Sequence, residues 1–592
     1  MTRSHTRSIR RSDRASGLWS CLVVGAGVVS AGAIGAAAVG AGAAAASAPL
    51  EALFPAGALH GVHGLAFDAA GRLLAAESWG MAVHRIDPAS GRIETLRRGP
   101  DAASDDVGEL PPGHRYAGTV VWSANFLGRV MARDADGTVR TLARDLPGIN
   151  TIVIAPGGRV LATQTNPPGR LLEIDPAGQS APRLLFEPTG GLNGFAIGDD
   201  GVIVGPQQDA DLNRIVELDP ATRALRVIAD GLAWPTGVKR APTGEYFAVD
   251  LGAGRVLRID RSGATPPATV AQFDPGLDNL AVAPDGHVYV SHIPTSSIWD
   301  VDPRTGARRA VVQGHFGVPG GLACRRGPGG DELYLADVFT VKRIDVATRQ
   351  VTTLVPLDRR SPFPSNVTLA GEHLVASSLF GGTVVVYDRA SGRELRRLKG
   401  LKAPHDAVEL DDGRLLVAEA GARQLTLVAR DADQRTRLGD VDEEFMGLAR
   451  DAAGHWHAGT ARGVLYRIDL ATARLMPVAA GLGRIEGLAT VNDGRSFLVV
   501  DAASATLREV TPASGSATQG GATAAAGATV RTRAASLPIG LGAPPELPPG
   551  RLFHGVAAGD CRDAYLASDR DATLYRVAPR ASAQVARKST SS

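Results

Sequence analysis

Residues 278–293 read DNLAVAPDGHVYVSHI, and the pattern of this stretch decides the fold. A short apolar run follows Asp278-Asn279, a Pro-Asp-Gly turn interrupts it, and a second alternating run begins at Val288. Period-two alternation on both sides of a glycine-containing turn predicts a β-hairpin rather than a helix. The polar pair immediately before the first strand is the feature that has to be explained.

The hairpin recurs along the chain. Related hairpins are HGLAFDAAGRLLAAES from His63, NTIVIAPGGRVLATQT from Asn150 and EGLATVNDGRSFLVVD from Glu486. A third strand, often ending in Asp-Pro, and a short fourth strand follow. The residue two before the leading aliphatic falls at twelve positions, 63, 105, 150, 193, 236, 278, 320, 365, 406, 446, 486 and 554.

Twelve four-stranded units predict an all-β fold of two tandem β-propellers with six blades each, because one ring usually holds about 4–8 blades. We expect the first propeller at 49–313 and the second at 314–592, with a flexible, Ala- and Gly-rich insertion at 511–550. We expect Pro49–Phe54 to close the first ring and Arg308–Val312 the second. A five-plus-seven division and a solenoid of sheets are the alternatives.

The segment 1–48 differs in composition from the rest of the chain. Five arginines precede a long Ala/Gly/Val run, and Ala46-Ser47-Ala48 fits a signal-peptide cleavage site. We therefore expect an exported protein, periplasmic or extracellular, with an uncleaved membrane anchor as the alternative. Cleavage would lower the formal net charge of +2 by four. Neither a nucleic-acid partner nor, after cleavage, a membrane partner is expected.

The sequence lacks the motifs that are typical of several enzyme classes. No G-x-S-x-G elbow joins a strand to a helix, and neither a phosphate-binding loop nor H-E-x-x-H occurs. Cys324 and Cys561 are the only cysteines after the leader, so they can form one disulfide but no multi-cysteine metal site.

The polar residues before the first strands predict a shared site. In a propeller the innermost strand of every blade runs beside the axis, so residues at its start converge. All six such residues in the first ring are polar: His63, Asp105, Asn150, Asn193, Thr236 and Asp278. The same phase places Asp106 toward the channel. His292, at the end of a second strand, would reach a substrate bound near Asp278. The alternative is that these side chains solvate a channel and cap strand starts.

Three stretches of the repeat resemble a known family. They are Leu192-Asn193-Gly194-Phe195, Leu277-Asp278-Asn279-Leu280 and ADGLAWPTGV at 229–238. They resemble NHL-repeat and gluconolactonase-type propellers, a family that includes the senescence marker protein lactonases. The resemblance covers nearly all of the chain after the leader, but it lies in the repeats, so it indicates fold more than activity.

The resemblance implies a divalent cation such as Ca2+ on the axis of the first ring. Asn150, Asn193 and Asp278 would be its ligands, and His63 stands where the family has a glutamate. Oxygen ligands of this kind suit a hard cation.

The implied activity is that of a lactonase-like hydrolase or a related lyase acting on a small polar molecule. The cation would polarise a carbonyl, and Asp105 or Asp278, with His63, would carry the catalysis. Asp106, Thr236 and His292 would contact substrate. The alternatives are a non-catalytic propeller that binds a ligand or a protein partner on its loop-rich face, and a secondary-metabolite cyclase or tailoring enzyme.

The second ring offers a weaker set of polar residues. Asp406, Glu486 and His554 are the candidates, and Glu486 with His554 would form an acid–base pair. The alternative is a ring with a purely structural role.

Overall fold

The computed structural model describes residues 49–209, 212–512, 527–541 and 555–578. Its strands form twelve antiparallel four-stranded sheets, which confirms the predicted all-β fold of four-stranded blades. Among the described residues no helix is long and apolar enough to cross a membrane. The proposed leader at 1–48 lies outside them. The helical elements described are short 3-10 turns: Pro100–Ala102, Asn125–Leu127, Pro156–Gly158, Leu251–Ala253 and Ile293–Thr295.

Blades 1 to 6 form the first propeller. The innermost strands of blades 1 and 6 lie against each other, which closes the ring. From the innermost strand outward, the blades are Val62–Phe67, Leu73–Glu77, Ala82–Ile86, Ile93–Arg98; Ser104–Glu109, Val120–Ala124, Arg129–Arg133, Val139–Ala143; Ile149–Ala155, Arg159–Gln164, Arg170–Ile174, Arg183–Phe186; Ala196–Ile197, Ile203–Gln207, Arg214–Leu218, Leu225–Ala229; Pro235–Arg240, Tyr246–Asp250, Arg255–Ile259, Ala268–Gln272; and Leu277–Val282, Val288–His292, Ser297–Val301, Arg308–Val312.

Blades 7 to 12 form the second propeller, and the innermost strands of blades 7 and 12 meet in the same way. The blades are Pro319–Gly327, Gly330–Asp337, Thr340–Asp345, Val351–Val355; Asn366–Ala370, His373–Ser378, Thr383–Asp388, Glu394–Leu398; Pro404–Glu409, Leu415–Glu419, Gln424–Val428, Arg435–Leu438; Phe445–Arg450, Trp456–Thr460, Leu465–Asp469, Arg474–Ala479; Ile485–Val491, Ser496–Asp501, Thr506–Thr511, Thr529–Ala534; and Val556–Ala557, Ala564–Ser568, Thr573–Val577, Leu50–Ala52.

The N-terminal strand closes the second propeller, whereas we had expected it to close the first. Leu50–Ala52 pairs antiparallel with Thr573–Val577, and the adjoining Leu53 and Phe54 are buried in a cluster with blades 7 and 12. Blade 6 has no vacancy, because Arg308–Val312 is its own outermost strand. The described residues after blade 11 supply three strands to blade 12. The first propeller is therefore inserted between two parts of the second.

A disulfide crosslinks blades 7 and 12, where the ring of the second propeller closes. Cys324 of blade 7 is bonded to Cys561 of blade 12, with a Cα–Cα distance of 6.1 Å. The two residues are separated by 237 positions in the sequence. A crosslink across so long a segment restricts the unfolded chain strongly.

Replacing both cysteines by serine is expected to lower the free energy of unfolding of the second propeller by about 2–5 kcal/mol. Chemical denaturation of parent and variant without reductant measures the difference. Dithiothreitol should bring the parent to the stability of the variant and leave the variant unchanged. Equal stability of the two proteins without reductant would contradict the role of the bond.

The segment 511–550, predicted to be a flexible insertion, contains part of a blade. Thr529–Ala534 is the outermost strand of blade 11, and its Arg533 pairs with Glu509 of the neighbouring strand at 2.8 Å. The low-complexity composition of the segment does not reveal this strand, which is defined by its pairing with Thr506–Thr511. Residues 513–526 and 542–554 lie outside the described part of the chain.

The two propellers share one apolar cluster. Its buried members lie at the end of each propeller where the innermost strands begin, so the two propellers present corresponding faces to one another. They are Trp79, Trp234, Leu251 and Ile293 of the first propeller and Val318, Val338, Phe339, Leu357 and Phe363 of the second. This contact brings residues of the second propeller close to the opening of the central channel of the first, where its innermost strands begin. We call this opening the mouth.

Candidate active site

The innermost strands bulge where they begin. In blade 1 the pairing shifts between Val62 and Leu65, and in blade 2 between Ser104 and Val107. Blades 3 and 6 show the same shift. A bulge interrupts the ladder and re-aims the side chains within it. Each bulge therefore presents two residues near the axis, one at the mouth and one a residue further along the strand.

The mouth position brings the predicted residues His63, Asp105 and Asp278 together. His63 Nδ1 lies 3.2 Å from Asp278 Oδ2 and 3.7 Å from Asp105 Oδ1. The imidazole is fully buried, whereas the side chains of Asp105 and Asp278 keep 8% and 11% of their surface exposed. The three side chains form a nearly buried cluster, in which the two aspartates retain slight exposure.

Burial and charge shift the proton affinities of this cluster. Burial raises the pKa of Asp105 to about 7; the charge of His63 opposes that shift, and the charges of Asp278 and Asp106 add to it. For His63, burial alone would lower the pKa, but the hydrogen bond and charge of Asp278, with the charges of Asp105 and Glu77, raise it. Near neutral pH the Asp105 carboxyl can therefore either hold or accept a proton.

Asn150 and Asn193 lie next to this cluster around the axis, and together with it they form an arc of polar side chains. The side chain of Asn150 hydrogen-bonds to Asp105. Thr151 Oγ1 lies 3.0 Å from Asn193 Oδ1 and 3.2 Å from Asn150 Oδ1, so this hydroxyl links the two amides. Thr236 is buried, with its hydroxyl 3.4 Å from the carbonyl oxygen of Leu277.

The donor atoms of this arc are of the kind that a hard cation prefers. Among the described residues, however, three histidine, cysteine or carboxylate ligand atoms lie within 4.8 Å of one another only at Cys324, Asp331 and Cys561. Two of these residues form the disulfide. His63 lies with Nδ1 toward both axial carboxylates. The predicted ligands Asn150, Asn193, Asp278 and His63 include two amides, and a cation held by these four residues stays a prediction.

Asp106, predicted to contact substrate, links neighbouring blades instead. Its Oδ1 accepts a hydrogen bond from the Val107 N–H at 3.0 Å, and its Oδ2 accepts one from the Ile152 N–H at 3.2 Å. Asn279 Nδ2 lies 3.4 Å from Oδ1. Gly64 leaves the necessary space, since a Cβ there would lie 2.4 Å from Asp106 Oδ1. Both carboxylate oxygens are engaged by the scaffold.

Asp406 makes the corresponding contacts in the second propeller. It accepts hydrogen bonds from the Ala407 and Leu448 N–H groups, each at 2.8 Å, and from Asn366 Nδ2 at 2.7 Å. The sequence repeat predicts Asp406 at the mouth of the second propeller. The strand register gives that position to His405, because the bulge lies between Pro404 and Asp406.

The other candidates of the second ring are placed less completely. Glu486 is buried at the mouth position of blade 11, and Arg484 Nε donates to it at 2.8 Å. His554 lies outside the described residues, so the Glu486–His554 pair stays a prediction.

His292 ends the second strand of blade 6, where some other blades carry a carboxylate that accepts backbone hydrogen bonds. Asp250, for example, accepts the Trp234 N–H at 2.6 Å. His292 Nδ1 lies 2.7 Å from Thr295 Oγ1. Burial, assisted by the charge of Lys342, lowers the pKa of His292 to about 4. The ring is therefore neutral and bonded within its own turn.

Sequence reasoning missed Phe339 of blade 7, whose ring lies beside His63 with the ring centroids 6.4 Å apart. A signal was present in the chain. The turn between the second and third strands has four residues in most blades, for example 293–296, but in blade 7 it is reduced to Val338-Phe339.

Comparison with known proteins gives a limited likeness. No family model matches the chain. A gluconolactonase from Zymomonas mobilis subsp. mobilis is 29% identical over 112 residues, which cover 17% of this chain and 31% of that protein. The chain thus matches about a third of the length of its curated relative. This local similarity supports the gluconolactonase part of the resemblance.

Solved structures show distant similarity. Virginiamycin B lyase from Staphylococcus aureus is 13% identical, with 56% of this chain and 96% of that chain covered at a TM-score of 0.29. The tricorn protease is 10% identical, with 87% of this chain and 55% of that chain covered at a TM-score of 0.33. Because both scores are below 0.5, the propeller assignment depends on the strand pairing itself.

Proposed function

We propose that this protein is a hydrolase or lyase of small polar molecules and that lactones are its first substrate class to test. The cluster of His63, Asp105 and Asp278 carries the proposal, because it joins a buried imidazole to two closely placed carboxylates whose side chains retain slight exposure. The local similarity to a gluconolactonase supports the choice of lactones.

In the proposed hydrolysis Asp105 is the base. It takes a proton from water as the water oxygen bonds to the carbonyl carbon of the lactone. The side-chain amides of Asn150 and Asn193 donate hydrogen bonds to the carbonyl oxygen as it gains charge. The ring C–O bond then breaks, and the proton passes from Asp105 to the departing oxygen, which gives a hydroxy acid. His63 and Asp278 hold the charge and geometry around the base.

The same groups suit an elimination. Asp105 would remove a proton from the carbon next to a carbonyl, the C–H electrons would form the double bond, and a leaving group would depart from the next carbon. A lyase therefore needs no further base at this mouth. Product analysis separates the two reactions, since only hydrolysis incorporates oxygen from water.

The divalent cation remains a separate proposal, and no step above passes through it. Metal analysis of the purified 49–592 protein tests it, with the Asn193→Ala, Asp278→Ala double variant as the comparison. A stoichiometric ion that the double variant loses would support the predicted ligands. Turnover by a metal-free protein would restrict the chemistry to the acid–base groups.

We further propose export to the periplasm or the exterior of the cell. The composition of residues 1–48 and the Cys324–Cys561 bond support export, since disulfides persist in oxidising compartments. Localisation of a tagged full chain, with and without residues 1–48, tests it.

A panel of glucono-1,5-lactone, δ-valerolactone and dihydrocoumarin tests the activity. We expect the mature protein to hydrolyse at least one of these lactones above the buffer rate in a pH-indicator assay. Folded protein that turns over none of them, but binds one, would favour the ligand-binding alternative over the lactonase.

A further inference from the structure

Phe339 connects the two propellers at the candidate site. We infer that the second propeller completes the site of the first, with Phe339 as a positioning residue that covers the His63 imidazole and holds it toward Asp278. The consequence for catalysis rests on the proposed function, whereas the covering of His63 does not.

The aromatic ring of Phe339 and the imidazole of His63 pack with a defined geometry. The Phe339 and His63 centroids lie 6.4 Å apart with an interplanar angle of 69°, and both side chains are fully buried. Trp79 packs edge-on against Phe339 with centroids 5.8 Å apart. The imidazole therefore has carboxylates near Nδ1 and an aromatic ring from the other propeller beside it.

Two glycines make room for the Phe339 ring. A Cβ at Gly61, the residue directly before the first strand of blade 1, would lie 3.0 Å from Phe339 Cε2 and Cζ. A Cβ at Gly317, which lies just before the first strand of blade 7, would lie 2.8 Å from Phe339 Cδ2. The ring is thus held in a slot with one wall from each propeller.

The turn that carries Phe339 is tied into the interface. Its Val338 has φ 21°, an unusual backbone conformation for a β-branched residue. Asp337, at the start of the turn, accepts the Gly317 N–H at 2.9 Å and forms an ion pair with buried Lys342. Lys342 Nζ in turn donates to the Pro294 carbonyl of the first propeller at 2.5 Å. This turn is therefore fixed to both propellers.

A fixed neighbour matters because His63 lies beside the proposed base. Removing the Phe339 ring would leave a cavity on one side of the imidazole, into which water could enter and the imidazole could turn. Loss of its orientation would disturb the charge that faces Asp105, and small misplacements at such sites lower rates strongly. The first propeller alone would have a looser site.

Protection of His63 from diethyl pyrocarbonate tests the inference directly. This reagent acylates accessible imidazoles, and peptide mass spectrometry gives the rate at each histidine, with half-exposed His455 as the internal reference. In the parent protein we expect slow reaction at His63. Phe339→Ala should raise that rate at least tenfold, and Phe339→Met, which refills most of the space, should restore protection.

Phe380→Ala is the matched control. Phe380 belongs to the same apolar cluster and packs on Trp79, with centroids 5.2 Å apart. Its removal should leave His63 protected. Equal protection in the Phe339→Ala variant and the parent, or equal loss in the Phe380→Ala variant, would overturn the inference. Should Phe339→Ala not fold, Phe339→Leu provides the same comparison with a smaller cavity.

Kinetics provide the second readout. On the best lactone we expect Phe339→Ala to lower kcat about tenfold with KM within about twofold, and Phe339→Met to recover most of the rate. If the parent protein turns over no lactone, the proposed function fails, and the protection experiment still decides whether Phe339 covers His63. Deprotection with an unchanged kcat would overturn the positioning role.

Discussion

Replacing Asp105 by asparagine should lower kcat for lactone hydrolysis by about 10²–10⁴-fold, with little change in KM. An amide of the same shape can fill the position but cannot accept a proton from water. Asp105 is suited to the role because its carboxylate lies beside His63 at the mouth and burial raises its pKa to about 7. Initial rates on the best lactone of the panel measure the effect.

Asp406→Asn is the control for this variant. Burial also raises the pKa of Asp406 to about 7, but its oxygens accept backbone N–H groups of the second propeller. The amide loses one acceptor, so we expect a fall of about 1–3 kcal/mol in the free energy of unfolding and an unchanged kcat. An unaltered rate in Asp105→Asn, or an equal loss in both variants, would refute the assignment of the base.

Deleting residues 49–54 should destabilise the second propeller by about 5 kcal/mol or more, because burial of two large side chains is lost together with a strand. Leu53 and Phe54 are 2% and 5% exposed, and Leu50–Ala52 is the outermost strand of blade 12. A loss of this size is comparable with the whole stability of a domain. Calorimetry should show the transition of the second propeller lowered or abolished.

The first propeller should keep its own transition in this variant, since its six blades are complete without the N-terminal strand. Leu184→Ala, at a site 52% exposed on the outermost strand of blade 3, is the control and should change stability by less than about 0.5 kcal/mol. Two unaltered transitions in the deletion variant would show that the strand is dispensable.

Much of the scaffold and the mouth of the first propeller could be predicted from sequence. Strand alternation repeats in phase in the six blades of the first propeller, and the phase of the innermost strand fixes which residues face the axis. His63, Asp105 and Asp278 are close together for that reason. The bulges limited the accuracy, because in blade 9 the register shifts between Pro404 and Asp406 and the mouth position falls on His405, one residue before the predicted Asp406.

Long-range pairing and the contact between propellers were beyond such reasoning. Nothing local in Leu50-Glu51-Ala52 distinguishes an outermost strand of blade 6 from one of blade 12. Only the count of strands in the complete rings does so. The position of Phe339 depends on how two separately repeated units pack, and the shortened turn at Val338 shows that blade 7 is unusual without showing its neighbour.

The insertion of one propeller into the other also sets an order of assembly. The first propeller can complete its ring as soon as Val312 has been synthesised. The Leu50–Ala52 strand, by contrast, has to wait for Thr573–Val577, and the hydrogen bond between Thr573 and Phe54 spans 519 residues. During that interval an unpaired strand edge is exposed, which is a common route to wrong association. The strand that is synthesised before the first propeller is thus one of the last to pair.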